Sequence, residues 1–291
     1  MNILRPLSNL TAFSAVLIVV FCGIAVAGDN WRPVTPAELS QKIPTVEKDA
    51  DAEYLFWEVR VDESDVEEMS LKHYVRLKIY TERGREQFSK VDISATNSDA
   101  EIKDVSARVI KPDGSIVELK NSDIFERTIV KLGDEKIKAK SFAVPENGPG
   151  VVIEYRYSEV SEGIPYWMKL YFQREIPVVT CSWFVIPNRE GLGLKEQQFN
   201  MPSGVKFVKD KGDYYRATVT NIPAIHAEPQ MPPINEIRSW VMIYYNIDDE
   251  ITAESYWKAR NKAWAENGKD DFKANDTVKR VTAEITASAT T

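Results

Sequence analysis

A two-residue alternation of apolar and polar side chains constrains the fold of this chain more than any other feature. The alternation runs through residues 54–61 and again through residues 73–80. Because successive side chains of a β-strand point to opposite faces, each segment can pack one face on a core and expose the other. The acid-rich residues 62–69 lie between the two segments. We therefore expect adjacent antiparallel strands joined by a solvated loop.

A turn signal marks a second pair of strands. Pro112, Asp113 and Gly114 lie between the alternating residues 102–110 and 116–119. Proline presets φ, aspartate bonds its own backbone and glycine accepts positive φ, so the sequence predicts a β-hairpin. Further short strand patterns occur at residues 151–157, 167–172, 178–186, 205–208, 214–219 and 238–245. Their spacing predicts a mainly β fold, an antiparallel sandwich, over residues 51–245.

The N-terminus has the profile of a signal peptide. Arg5 is followed by an apolar run at residues 15–21 that weakens toward Ala27, and polar residues follow at once. We expect cleavage after Ala27, so that residues 1–27 are the signal peptide. A retained anchor is one alternative, although a span needs about 20 continuous apolar residues; lipidation at Cys22 is another. The prediction is an exported protein, periplasmic or extracellular.

Removal of the signal peptide changes the charge and the cysteine content. The segment contains Arg5 and no acid, so the net charge moves from −7 to −8. Clustered basic residues, which nucleic acid and membrane surfaces attract, are lacking, and we expect neither partner after cleavage. Cys181 is then the single cysteine, so no intrachain disulfide can form.

Partly helical segments are expected on both sides of the β-domain. Residues 28–50 are polar, and Thr35 precedes Pro36 as an N-cap precedes a first helical position. A proline-rich stretch begins at Pro223 and precedes the last strand of the β-domain, and residues 246–291 have helical patterns.

Finer expectations concern the same C-terminal region. We expect residues 223–237, which include the proline-rich stretch, to form an ordered connection with His226, Met231 and Ile234 facing inward. The first helix is expected to end at Asn267-Gly268. Asp276 or Thr277 is expected to cap the second helix.

The turns and motifs that bound the strands resemble those of a known family. The segments concerned are 111–114, 142–145, 148–157 and 242–245, and the most specific is Phe142-Ala143-Val144-Pro145 followed by the strand with Glu154, Tyr155 and Tyr157. They resemble Domain of Unknown Function 3857, which precedes transglutaminase-like domains in exported proteins. The resemblance implies an immunoglobulin-like β-sandwich without chemistry of its own. It also implies that the helical end resembles the entry to a papain-like core with a Cys-His-Asp triad, which no residue here matches.

Catalytic and metal-binding chemistry is poorly supported. Cys181 lies inside a strand pattern, whereas an activated thiol needs a helix start or a neighbouring imidazole, so we expect a buried inert thiol. His226 has no spacing partner for a metal site. The acidic residues 62–68 lack the spacing of a calcium loop and are expected to be solvated. We expect no catalytic residue, no metal and no cofactor.

Aromatic residues supply the one candidate binding surface. Tyr166 and Trp167 follow a turn and could stack on a sugar ring or anchor an interface. The favoured interpretation is that Trp167 and Tyr171 start a core-facing strand. The functional hypothesis is an exported non-catalytic module that binds or positions an adjacent transglutaminase-like domain in cis or a cell-envelope protein. The alternative is the accessory N-terminal part of a papain-like transglutaminase or cysteine peptidase whose catalytic core lies beyond Thr291.

Overall fold

The structure is a computed structural model that describes residues 31–95, 100–132, 135–187, 193–246, 252–269 and 274–289. The predicted signal peptide lies outside these residues. The described residues are mainly β-stranded, as the sequence predicts. The strands are β1 (Ala52–Asp62), β2 (Glu68–Ile79), β3 (Lys90–Ser94), β4 (Glu101–Ile110), β5 (Ile116–Glu118), β6 (Ile124–Leu132), β7 (Glu135–Ala143), β8 (Val152–Glu162), β9 (Trp167–Tyr171), β10 (Val178–Ile186), β11 (Gly193–Phe199), β12 (Val208–Lys209), β13 (Tyr215–Ile222) and β14 (Trp240–Asn246). The helices are α1 (Pro36–Ser40), α2 (Glu82–Gln87), α3 (Ile234–Ile237), α4 (Ala253–Asn267) and α5 (Asp276–Ala289).

The largest sheet, called the main sheet, has eight strands in the order β12-β13-β10-β1-β2-β8-β4-β5. Strands β1 and β2 pair antiparallel, with Val59 opposite His73, as their alternation predicts. Strand β1 pairs in parallel with β10, with Trp57 opposite Cys181. The expectation of an entirely antiparallel sandwich is therefore wrong, because the main sheet is mixed. The long connection between β1 and β10 allows β10 to enter the sheet in the same direction as β1.

Two smaller antiparallel sheets contribute to the same core. Strands β11-β14-β9 form one of them, called the β9 sheet, and β3-β7-β6 form the other. Leu170 of β9 and Phe142 of β7 belong to one hydrophobic cluster with Val75 of the main sheet. Each sheet therefore packs one face on this cluster, as the two-residue alternation predicts.

The predicted hairpin is formed by β4 and β5. Gly114 adopts a φ of 84°, which only glycine reaches without strain. The turn is closed by the N–H of Lys111, which donates to the carbonyl of Ser115 at 2.9 Å. Asp113 accepts from the N–H of Ser115 at the same distance, 2.9 Å. The turn chemistry read from the sequence is confirmed.

One face of the main sheet carries buried charges beneath helix α1. The carboxylate of Glu154 lies 2.7 Å from Arg76 and 2.6 Å from Arg108. Glu38 of α1 lies 2.7 Å from Arg76, and the ammonium of Lys78 donates to the carbonyl of Leu39 at 2.9 Å. These contacts hold α1 on the sheet and supply partners for charges whose burial would otherwise destabilise the fold.

The proline-rich stretch places different residues inward from those expected. His226 and Ile234 are exposed and Met231 is partly buried, so the inward assignment of the first two is wrong. Ile225 is buried instead, and its N–H donates to the carbonyl of Arg174 at 2.8 Å. Residue type alone misassigned these side chains because the segment has no repeating period.

The C-terminal helices begin at side-chain caps. Thr252 accepts from the N–H of Ser255 at 3.2 Å, and α4 ends before Gly268 as predicted. Asn275 accepts from the N–H of Val278 at 2.9 Å, so Asn275 caps α5 in place of the expected Asp276 or Thr277. Of the helices in the described ranges, none is long and apolar enough to cross a membrane.

Candidate functional site

A groove of about 410 Å³ runs beside strand β9, which is an edge strand of the β9 sheet. We call it the β9 groove. Its walls come from β9 and from strands β2 and β8 of the main sheet. Most of the lining is apolar and is supplied by Met69, Leu71, Pro165, Trp167, Met168 and Tyr171. Glu159 and Lys169 add one carboxylate and one ammonium. Apolar walls with few polar groups are typical of ligand sites.

The candidate surface residues Tyr166 and Trp167 lie at one end of this groove. Tyr166 is 71% exposed and Trp167 is 56% exposed. Met168 and Leu170 are buried, so the core-facing positions of β9 belong to them and not to Trp167. The strand period therefore directs Trp167 away from the core.

A row of rings and cations fixes the outer face of the β9 sheet. Trp240 stacks on Phe199 with ring centroids 4.1 Å apart. The ammonium of Lys169 lies 5.2 Å from the ring of Trp240 and 5.7 Å from the ring of Trp167. Cation–π contacts of this kind hold the aromatic side chains in place before any partner arrives.

Glu159, which lines the groove, is paired with a histidine of strand β2. Nε2 of His73 is 3.1 Å from Oε1 of Glu159, and both side chains are buried. The ring of His73 stacks on Tyr157 with centroids 4.2 Å apart. Burial lowers the pKa of His73, and this effect outweighs the opposite effect of Glu159. The imidazole is therefore neutral near pH 7.

Cys181 is not an activated thiol. It is fully buried in β10, and burial raises the pKa of the thiol to about 11. Strand β1 separates it from β2, which carries His73. His226 lies in the loop after β13 and is exposed. The expectation of a buried thiol is confirmed, and these residues do not come together as a catalytic triad.

The acidic loop between β1 and β2 is only partly solvated. Asp65 and Glu67 are exposed as expected, but Glu63 is buried and accepts a hydrogen bond from the hydroxyl of Tyr245. The expectation of a fully solvated loop is wrong at Glu63. Among the described residues, no group of His, Cys, Asp or Glu side chains is arranged to hold a metal ion.

Sequence reasoning missed Glu159 and His73. The alternation in β8 places Glu159 on the same face as Tyr155 and Tyr157, and β2 places His73 on its core-facing side. A titratable residue at a core-facing position of a strand was therefore the available signal. The proximity of Glu159 to β9 could not be read, because it depends on how two sheets pack.

These features define a mainly β domain with an apolar groove at the edge of a smaller sheet. The chain belongs to the DUF3857 family, a domain of unknown function with a solved structure, whose sequence model matches residues 67–226. The family predicted from the hairpin and strand motifs is confirmed. No curated protein matches the sequence.

The solved structures that resemble this chain are distant in sequence. A protein described as a putative protease from Parabacteroides distasonis is 20% identical with a TM-score of 0.58, over 67% of this chain and 40% of that chain. This chain thus spans less than half of that protein, and the likeness concerns the fold alone. A protein described as a putative nutrient binding protein from Legionella pneumophila is 12% identical with a TM-score of 0.31, over 79% of this chain and 78% of that chain.

Proposed function

We propose that this chain is an exported, non-catalytic β-module that binds or positions a partner through Tyr166 and Trp167. The partner is an adjacent transglutaminase-like domain in cis or a protein of the cell envelope. One observation carries the proposal: two large aromatic side chains are exposed beside an apolar groove at a sheet edge. Exposed aromatic residues next to a concave apolar surface are typical anchors of interfaces.

The buried titratable groups favour binding over catalysis. The thiol of Cys181 is fully buried, and the imidazole of His73 is held between Glu159 and Tyr157. Nucleophilic catalysis needs an accessible thiolate beside a base, and neither residue provides this arrangement.

Two further elements belong to the proposal. Export follows from the signal-peptide profile of residues 1–27. An immunoglobulin-like description of the β-domain is supported by the two small antiparallel sheets that share a core with the main sheet.

The alternative is that the chain is the accessory front part of a papain-like transglutaminase or cysteine peptidase. The relative described as a putative protease is the observation that favours it, because this chain aligns with only 40% of that protein. The coding sequence after Thr291 separates the two readings. A Cys, His and Asp core encoded there would support the alternative.

Photo-crosslinking tests the binding surface. We would replace Tyr166 with p-benzoylphenylalanine in the full encoded polypeptide, in the cells that produce it. Phe125 of β6 is the matched control position, because it is also an aromatic residue and is 61% exposed. Crosslinked peptides would be identified by mass spectrometry.

The proposal predicts crosslinks from position 166 to a transglutaminase-like domain or to one envelope protein, and none of these from position 125. The same products from both positions, or no product from either, would overturn it.

A further inference from the structure

The outer face of the β9 sheet is a regular array of side chains from three strands. Val241 of β14 pairs with Leu170 of β9, and both are buried on the core side. The residues next to them in each strand therefore lie on the opposite, outer face. The strand registers align the outer residues in three rows: Phe199, Trp240 and Tyr171; Gln197, Met242 and Lys169; and Lys195, Tyr244 and Trp167. We call these nine residues the outer grid.

The charge of the outer grid is opposite to that of the chain. None of its nine residues is an acid, five are aromatic and two are lysines. The whole chain has 44 Asp and Glu residues against 37 Lys and Arg residues. Arg238 adds a further cation beside the grid, because its guanidinium lies 4.8 Å from the ring of Tyr171. A cationic and aromatic face therefore lies on an acidic protein.

Two cations of this face contact aromatic rings and are not paired with acids. Lys169 lies over the rings of Trp167 and Trp240, and Arg238 lies over Tyr171. In the part of the chain that the structure describes, no carboxylate forms an ion pair with Lys169 or with Arg238. Rings hold these two side chains in place without neutralising their charge.

The surroundings of Arg238 leave its charge poorly compensated. Its Nε atom is buried and, among the described residues, has no hydrogen-bond partner. Burial lowers the pKa of Arg238 and the neighbouring Arg174 adds to this effect, while Tyr171 and Glu175 oppose it. The carboxylate of Glu175 accepts a hydrogen bond from the hydroxyl of Tyr54 at 3.1 Å. A carboxylate that reached the partly exposed side chain of Arg238 would supply the counter-charge.

The ring geometry favours a protein segment over a sugar as the occupant. Trp240 is only 7% exposed, and Phe199 stacks on it with an angle of 7° between the ring planes. No open face of Trp240 is therefore left for a sugar ring. Trp167 is 56% exposed and lies beside Lys169. An exposed tryptophan next to cations suits a segment that carries carboxylates and an apolar side chain.

We propose that the outer grid and Arg238 bind an acidic segment of the partner protein. Carboxylates of that segment contact the guanidinium of Arg238 and the ammonium of Lys169, and an apolar side chain of the segment packs against Trp167. The proposal rests on the proposed function, because it specifies the chemistry of the partner that the surface at Tyr166 and Trp167 engages.

Two capped peptides test the charge of the segment. The acidic probe is Glu-Val-Glu-Val-Glu, and the neutral control is Gln-Val-Gln-Val-Gln, which has the same length and nearly the same shape. In a titration of the isotopically labelled protein, the acidic probe should shift the amide signals of Lys169 and Arg238 and the indole N–H signal of Trp240. The neutral control should shift none of them, and added salt should weaken the binding of the acidic probe. Equal shifts with both peptides, or no shift of these signals with the acidic probe, would overturn the proposal.

Charge-removing variants test the two contacts. Arg238→Gln and Lys169→Gln should each weaken binding of the acidic probe by about fivefold or more, because each removes a charge-assisted contact. Lys206→Gln is the matched control, since Lys206 is exposed, lies outside the grid and loses the same charge. Its affinity should equal that of the wild type, and thermal unfolding of all three variants verifies the fold. An equal loss in Lys206→Gln would mean that net charge alone attracts the probe, which would contradict the proposal.

The outcomes separate this inference from the proposed function. If the double variant Lys169→Gln, Arg238→Gln keeps the full crosslink from position 166, the acidic segment is wrong while the binding surface stands. If the wild-type chain gives no crosslink but the acidic probe binds with the expected pattern, the site stands and the proposed partner is wrong. If an oligogalacturonate shifts the same signals and the acidic peptide does not, the face binds an acidic glycan and the proposal is overturned.

Discussion

Arg76 and Glu154 lie directly opposite each other on strands β2 and β8, with the guanidinium Nη2 2.7 Å from the carboxylate Oε1. Both side chains are buried, and Arg108 approaches the same carboxylate from β4 at 2.6 Å. Three adjacent strands of the main sheet are thus joined by one carboxylate between two guanidinium groups. The buried charges of such a group stabilise the fold only while all three side chains are present.

Removal of this carboxylate should destabilise the domain strongly. We expect Glu154→Gln to lower the free energy of unfolding by about 3–5 kcal/mol, because two buried guanidinium groups lose the carboxylate that they share and Glu38 remains to pair with Arg76. Glu126→Gln is the control, since Glu126 is exposed and pairs with Lys138 at 2.7 Å, and should cost less than about 1 kcal/mol. Urea denaturation measures both. Equal effects would mean that burial contributes nothing to the role of Glu154.

Cys181 should react with thiol reagents only after unfolding. Burial raises the pKa of this thiol to about 11, so almost no thiolate is present near neutral pH. The measurement is labelling by a disulfide reagent at pH 8, in a chain that begins at Gly28 so that Cys181 is the single thiol. We expect slow labelling in buffer and rapid labelling in urea. Rapid labelling of the folded chain would contradict the burial.

His73 should make the stability fall in mild acid. Burial holds the pKa of His73 below its usual value of about 6.5, so below that pH the unfolded chain binds a proton that the folded chain does not. The free energy of unfolding should then decrease by up to about 1.4 kcal/mol per pH unit until the lowered folded pKa is reached. Comparison of the wild type with His73→Asn between about pH 7.5 and 5 isolates this slope. Identical slopes would refute it.

The local features of the fold could be predicted from the sequence. The turn at Gly114 and the alternation in β1 and β2 predicted their structures because both depend on neighbouring residues and strand period alone. The Asn267-Gly268 pair predicted the end of α4 for the same reason. Strands β6 and β11, whose patterns are more polar, were not predicted.

The non-local features could not be predicted in the same way. The parallel pairing of Trp57 with Cys181 joins segments that are far apart in the chain, and either direction of β10 would bury the same face. The groove depends on the packing of the β9 sheet beside β8. The sequence alone therefore does not predict that Trp167 and Glu159 line the same groove. Exposure of Trp167 follows from the packing of β9 with Met168 and Leu170 toward the core, and the alternation alone does not say which face of the strand is buried.

The last helix should exchange its amide hydrogens rapidly. The described side chains of α5, including Val278 and Ile285, are exposed, and isolated helices of this length are marginal in water. Hydrogen exchange followed by mass spectrometry should show rapid exchange after Asn275 and strong protection in β1, β2 and β8. Protection of α5 equal to that of β2 would mean that this helix is packed against another surface.

The central claim is that Tyr166 and Trp167 anchor a partner. The domain recovered by crosslinking at position 166 provides the ligand, and its dissociation constant for the purified chain is the decisive measurement. The double variant Tyr166→Ala, Trp167→Ala should bind about tenfold or more weakly, with little change in thermal stability because both side chains are exposed. Phe125→Ala should bind like the wild type. An unchanged dissociation constant in the double variant would contradict the account.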